Sequence, residues 1–203
     1  ADFGLGYCQL SANDLAGAEA SFLKVVDRNP DAFFPNYLVG YSMYKSGKPS
    51  LALGFLEKAM TLADKAEDRD YGFLAHFWAG VAGNEAGKLL VSISAISSAK
   101  TKYKGIKGFD HELLILSSLA VNNYMASEVY DFAVMQADLF FQEYSAVAKN
   151  IPQDRKASLD DLRYGVYVQR AAARIMMDKS KHIEDAADDL ASASEIPGMA
   201  PDA

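Results

Sequence analysis

The sequence predicts an all-α chain built from repeated helix pairs, on three observations. Alanine, the best helix former, occurs 32 times in 203 residues, and proline only six times. The 14 glycines fall mostly where turns are needed. Residues of like size or turn role recur at a step of 34. Half the residues are apolar, enough to bury a core and to exclude a disordered tail. The apolar run Leu113 to Val121 is short and broken by Ser117 and Ser118, so no bilayer-spanning segment is expected. A single cysteine, Cys8, excludes an intrachain disulfide framework and a multi-cysteine zinc site.

The repeat is read by superposition. Leu5-Gly6, Asn13, Ala18, Phe22 and Val25 become Val39-Gly40, Gly47, Ala52, Leu56 and Ala59 after 34 residues. A further 40 gives Ala79-Gly80, Gly87, Ser92, Ile96 and Ala99, and a further 41 gives Ala120-Val121, Glu128, Ala133, Ala137 and Phe140, a looser match. A fifth unit runs through Ala173-Arg174, Ala186, Leu190 and Ala193 to Pro197. Small residues such as Gly6, Gly40 and Gly80 let the two helices of a unit approach closely, and Phe22, Leu56 and Ile96 fill the gap to the next. A lone pair of short helices cannot bury its faces, so neighbouring units must stack.

Each element then has a local signal. Asn13-Asp14 caps a helix over Leu15 to Val26, and Asn29-Pro30 ends it. Pro35 is a first-turn proline for Asn36 to Lys45. The turn Ser46-Gly47-Lys48-Pro49 opens Ser50 to Ala66, and the charged run Asp64 to Asp70 supplies extra connecting residues. Helix pairs follow at Tyr71–Ala86 with Lys88–Tyr103 and at Asp110–Ala126 with Val129–Ala148. Lys100, Lys102, Lys104 and Lys107 form a basic run expected in a solvated loop. Asn150 to Asp154 breaks the chain. Ser158 with Asp161 reads as a capping box opening a helix to about Met177. The last helix, about Ile183 to Ser194, is expected to bury Ile183, Ala186, Ala187, Leu190 and Ala193 and to present its acids to solvent.

This pattern resembles the tetratricopeptide repeat (TPR) family, whose 34-residue unit carries a large residue, Leu-Gly, Tyr, Gly, Ala, Phe, Ala and Pro at fixed offsets. Units one and two match best, the third keeps both glycines, and the fourth and fifth are degenerate. The family's Tyr position holds Gln9, Met43 and Gly83, with only Tyr124 in agreement, and its first large aromatic is unfilled in units one and two. The resemblance implies a right-handed α-solenoid of about four to five helix-turn-helix repeats. Residues 1–148 would form repeats one to four. Residues 149–203 would form a degenerate final repeat with an acidic capping helix and tail.

In that family the first helix of each unit lines a concave groove. Carried over by position, the groove residues are Phe3 and Tyr7; Phe34, Tyr37, Leu38, Tyr41 and Tyr44; Phe77, Trp78, Val81 and Asn84; and Leu119, Asn122 and Met125. Tyr37, Tyr41 and Tyr44 sit at i, i+4 and i+7 on one helical face, and tyrosine and tryptophan suit surfaces that bind apolar matter yet stay wet. The same stripe reads equally well as packing between repeats. A carboxylate clamp known from one branch of the family is absent, since Phe3, Tyr7, Leu38, Leu74 and Trp78 stand at its positions.

No catalytic constellation is legible. His76, His111 and His182 read as packing, helix-start and solvated residues, and Cys8 as a buried structural thiol. No phosphate-binding glycine loop and no nucleophile elbow occur. No cofactor and no metal are expected. The net charge of −7 argues against nucleic acid, and the stretch Asp178 to Ala203 carries −5 of it. The function expected is a non-enzymatic scaffold or adaptor that binds a protein or peptide segment in an aromatic groove. The alternative is a self-assembling component of a larger envelope, secretion or motility complex, as a homo-oligomer or with other subunits. The Ala-Asp start fits a processed exported protein or an excised domain, leaving the compartment open between cytoplasm and bacterial periplasm.

Overall fold

A computed structural model describes residues 1–63 and 69–199, with the side chain of Lys179 excepted. Among these residues there is no strand. The helices are α1 (Asp2–Ser11), α2 (Leu15–Arg28), α3 (Phe33–Lys45), α4 (Pro49–Ala63), α5 (Arg69–Glu85), α6 (Leu89–Lys102), α7 (Asp110–Ala126), α8 (Tyr130–Val147) and α9 (Lys156–Ser194). Two short 3-10 turns, Ala148–Asn150 and Gln153–Arg155, stand where the chain was expected to break. The chain divides into two compact units, Ala1–Ile106 and Lys107–Ala203. The fold is an all-α repeat.

One turn, made four times, explains the 34-to-41-residue step. Asn13, Gly47, Gly87 and Glu128 all adopt a left-handed backbone, with φ of 60°, 74°, 67° and 58°. The next residue's N–H reaches back five residues in every case: Asp14 to Gln9 at 2.8 Å, Lys48 to Met43 at 3.0 Å, Lys88 to Gly83 at 2.8 Å and Val129 to Tyr124 at 3.0 Å. This left-handed C-terminal stop satisfies the last carbonyls of the first helix and reverses the chain into the second. Glycine fills it twice without strain, whereas Glu128 carries a Cβ penalty.

Helix contact within a pair follows the predicted size pairing. A Cβ on Gly6 would lie 2.7 Å from a Phe22 ring atom, and one on Gly40 would lie 2.6 Å from Leu56 Cγ. In the fourth pair the sizes are exchanged: Val121 and Ala137 hold the equivalent positions, both fully buried. The looseness of that unit's match is therefore a redistribution of volume, which close-packed cores tolerate. The first unit's core gathers Phe22, Leu38, Val39, Leu53 and Leu56, and the second's gathers Leu114, Val121, Phe140, Leu159 and Val166.

Several boundaries differ from expectation. α3 starts at Phe33, so Pro35 still lies in the first turn, where its missing N–H costs nothing. Asp14 alone caps α2, its carboxylate accepting from Gly17 N at 2.9 Å. Lys100 and Lys102 lie in the last turn of α6 rather than in a loop, where cations oppose the helix dipole. The end of the helix expected at Ala66, and residues 64–68 of the connecting run, fall outside the described residues; Arg69 and Asp70 already belong to α5. Ser158 is no cap, since α9 has begun two residues earlier.

The helix α9 is two segments. Its backbone leaves the helical region at Asp178 (φ −163°, ψ 101°). There Asp178 caps the second segment, accepting from Ser180 N at 3.0 Å and Ser180 Oγ at 2.7 Å, and these bonds with Lys181 hold its carboxyl below the usual carboxylate range. The second segment buries Ala186, Asp189 and Ala193, and Ile196 is buried in the turn just beyond it, while Ile183, Ala187 and Leu190 face outward. This overturns the expected orientation, because Asp189 is pulled inward by two cations. Arg170 Nε lies 3.0 and 3.2 Å from its carboxylate oxygens and Arg174 Nη1 lies 2.6 Å away. Arg170 also reaches Asp138 at 2.5 Å and stacks over Phe141, 4.5 Å from the ring centre.

Candidate partner-binding groove

The first helices of unit one, α1, α3 and α5, carry a continuous set of aromatic rings. Along α3, Phe33, Tyr37 and Tyr41 stand nearly parallel at successive turns, with ring centres 6.2 Å apart and interplanar angles of 8° and 19°. Their i, i+4 spacing places them on one face. From α5, Tyr71 packs edge-on against Phe34 at 5.0 Å and Tyr37 at 5.8 Å. Trp78, two turns further along α5, lies against Tyr41 at 5.2 Å, Tyr44 at 5.0 Å and Phe77 at 4.9 Å.

Hydrogen bonds tie the rings together. The Trp78 indole N–H donates to the Tyr37 hydroxyl, and Tyr7 from α1 shares a hydrogen bond with Tyr71. Tyr44 donates to Glu85 at 2.6 Å. Burial pushes the Tyr37 and Tyr44 phenols well above the usual range, Glu85 adding to the effect at Tyr44. For Tyr7 the rise comes first from the bond with Tyr71 and then from burial. The amino group of Lys45 lies 6.0 Å from the Trp78 ring centre, at the outer limit of a cation–π contact.

The sequence-derived groove residues therefore fall into three groups. Tyr37, Leu38 and Phe77 are buried, at 5%, 3% and 4% exposure, and form floor and core rather than open surface. Phe3 and Tyr7 are exposed on α1 and pack on Phe22, while Phe34, Tyr41, Tyr44, Trp78, Val81 and Asn84 are half-buried. In unit two, Leu119, Asn122 and Met125 lie half-buried on α7; Asn122 accepts from Gln169 of α9, and Met125 packs on that unit's core. The structure brings Tyr7, Tyr37, Tyr41, Tyr44 and Trp78 into one strip. Sequence reasoning missed Tyr71, Glu85 and Lys45. Tyr71 was within reach, since it precedes Trp78 by seven residues on the same face.

The remaining candidates stand apart. His76 is buried, its Nδ1 2.9 Å from the Gly72 carbonyl and its ring against Tyr103. His111 contacts Ser158 at 3.2 Å, and burial lowers its pKa. His182 lies 3.8 Å from Asp185. Cys8 is exposed, not buried, because α1 turns Gly6 rather than Cys8 toward α2. Among the described residues no three His, Cys, Asp or Glu side chains converge as a metal site. A small cavity of about 240 Å³ in unit two, between His111, Ile151 and Arg155, is below the usual range for small-molecule pockets. Among the described residues no helix is long and apolar enough to cross a membrane.

The turns, the paired helices and the small-residue contacts define an all-α helical-repeat fold of the kind seen in TPR-like structures. Several solved structures resemble it along nearly its whole length. A crystal structure of MamA protein matches with a TM-score of 0.69 at 13% identity, covering 96% of this chain and 90% of that one. A second MamA crystal structure gives 0.67 at 16% identity, covering 94% and 93%. A putative kinesin light chain of Podosopora anserina with nearly identical TPR-like repeats gives 0.60 at 11% identity, covering 95% and 93%. No family model and no curated protein sequence matches the chain. At these identities the likeness is one of fold.

Proposed function

We propose that the chain is a non-enzymatic interaction scaffold that captures a segment of a partner protein on the rings of Tyr41, Tyr44 and Trp78. One observation carries the reading. Tyr41 is half-exposed between Tyr37 and Trp78, and its hydroxyl has no hydrogen-bond partner among the described residues. An aromatic face with a free polar tip is what a binding surface for apolar protein segments uses, since it offers area at low entropic cost. The neighbouring rings are already hydrogen-bonded to one another, so the strip is held in place before a partner arrives.

The test is affinity capture with mass spectrometry, followed by titration of the captured partner against Tyr41→Ser. The expected result is at least tenfold weaker binding with an unchanged unfolding midpoint. Unaltered binding by Tyr41→Ser combined with Tyr44→Ser overturns the reading. Trp78→Ala is the poorer probe: the ring packs against three aromatics, so its removal should cost about 3 kcal/mol of stability. Should sedimentation show oligomers that Tyr41→Ser abolishes, the captured segment belongs to another copy, and self-assembly replaces the scaffold reading.

A further inference from the structure

At two positions the outward face of α8 differs from those of its three counterparts, although the place of Phe132 is held in α4 by exposed Leu51. Superposing the four turns makes Ala20 of α2, Gly54 of α4, Ser94 of α6 and Met135 of α8 equivalent; one turn on, Lys24, Lys58, Ser98 and Leu139 are equivalent. Ala20, Gly54 and Ser94 are exposed and small, and Lys24 and Lys58 are exposed and charged. In α8 the same surface is apolar: Phe132, Met135 and Leu139 are 44%, 45% and 38% exposed, and Val129 just before them is 37% exposed. They follow one another at i, i+3 and i+7, so they form a single stripe. Phe132 is anchored on one side by Tyr124, with ring centres 5.4 Å apart. The stripe is not needed to close the core, which α8 fills from its other side with Ala133, Ala137 and Phe140.

The exposed charge beside the stripe is acidic. Helix α8 itself carries no Lys or Arg; its Asp138 is paired with Arg170 of α9 and its Glu143 accepts from Ser117, which leaves Asp131 and the preceding Glu128 as the exposed acids. Residues 1–106 hold eleven acids and eleven bases, whereas residues 107–203 hold sixteen and nine, so the second unit carries the whole net charge of −7. An apolar helix face rimmed by acids fits an amphipathic segment whose apolar side is flanked by Lys or Arg. It disfavours an anionic bilayer for the same reason.

We propose that the α8 stripe Phe132–Met135–Leu139 is a docking surface for a basic amphipathic helix of a partner protein, separate from the aromatic strip of the first unit. The probe is a designed Leu/Lys amphipathic helix of about 18 residues, the length of α8, with a Leu/Glu helix of the same pattern as its counterpart. Titration uses the full chain and the variant M135S/L139S, which writes the corresponding serines of α6 onto α8 at unchanged charge. The expected result is saturable one-to-one binding of the Leu/Lys helix, weakened at least tenfold in M135S/L139S and reduced by added salt. The Leu/Glu helix should not bind, and Tyr41→Ser should bind the Leu/Lys helix as the parent does. Equal binding of the Leu/Lys helix to parent and variant would assign the effect to bulk acidity and overturn the proposal. Self-association of the parent that M135S/L139S abolishes, without peptide binding, would also overturn it in favour of a second copy. Because both residues are exposed, the variant should unfold at the parent's midpoint; if it does not, L139S alone is titrated under the same criteria.

Discussion

The two units share a turn and differ in how they fill the side of their first helices. In the first, α1, α3 and α5 face one another through rings: Tyr7, Tyr37, Tyr71 and Trp78 satisfy their own polar atoms and leave Tyr41 open. In the second, the long helix α9 lies on α7 and α8 and brings its own polar groups, with Gln169 on Asn122 and Arg170 between Asp138 and Asp189. A neutral unit thus presents aromatics where an acidic unit has closed itself with an ion cluster. The repeat backbone dictates where a face opens and leaves its covering to the side chains.

The largest test of that contrast is Asp189→Ala. It would leave Arg170 and Arg174 without the buried carboxylate that binds both, at a cost of about 3 kcal/mol. Urea unfolding monitored by circular dichroism should show the loss, and a shift under about 0.5 kcal/mol would mean that the cluster does not pin the second segment of α9. Next comes a glycine pair inside unit one. Gly40→Ala drives a Cβ into Leu56 and should destabilise by about 2 kcal/mol, while Gly54→Ala, with open space around it, should stabilise by about 0.5 kcal/mol. Opposite signs on adjacent helices would separate close approach from propensity; equal signs would dissolve the size-pairing argument. The smallest effect belongs to the shared turn. Glu128→Gly should raise stability by about 1 kcal/mol by relieving the left-handed strain, and Gly47→Ala should lower it by a similar amount, read as opposite shifts of the thermal midpoint.

Much of this was legible in order along the chain. Asn13, Gly47, Gly87 and Glu128 line up by sequence step and prove to share one backbone conformation, because a left-handed stop is a local requirement that glycine and asparagine meet cheaply. The Gly6–Phe22 and Gly40–Leu56 pairings were readable for the same reason, since small faces large at fixed offset. The aromatic strip was only half legible. Its members were visible in the sequence, but nothing local distinguishes Tyr37, sealed under Tyr71, from Tyr41, left open beside it. The last helix was misread for a related reason. Its apolar spacing favours Ile183 and Leu190 inward, yet Arg170 and Arg174, on the preceding segment, draw Asp189 into the interface and rotate those side chains outward.

By itself, then, the sequence determined the helices, the turn between the partners of each pair and the size rule at their contact, all set by interactions within a few residues or at a fixed step. Only the tertiary structure decided which aromatic rings remain open, which carboxylate is buried and which face of the final helix meets its neighbour. Those outcomes depend on partners distant in the chain, whose attraction for a ring or a charge outweighs the local preference of any one helix.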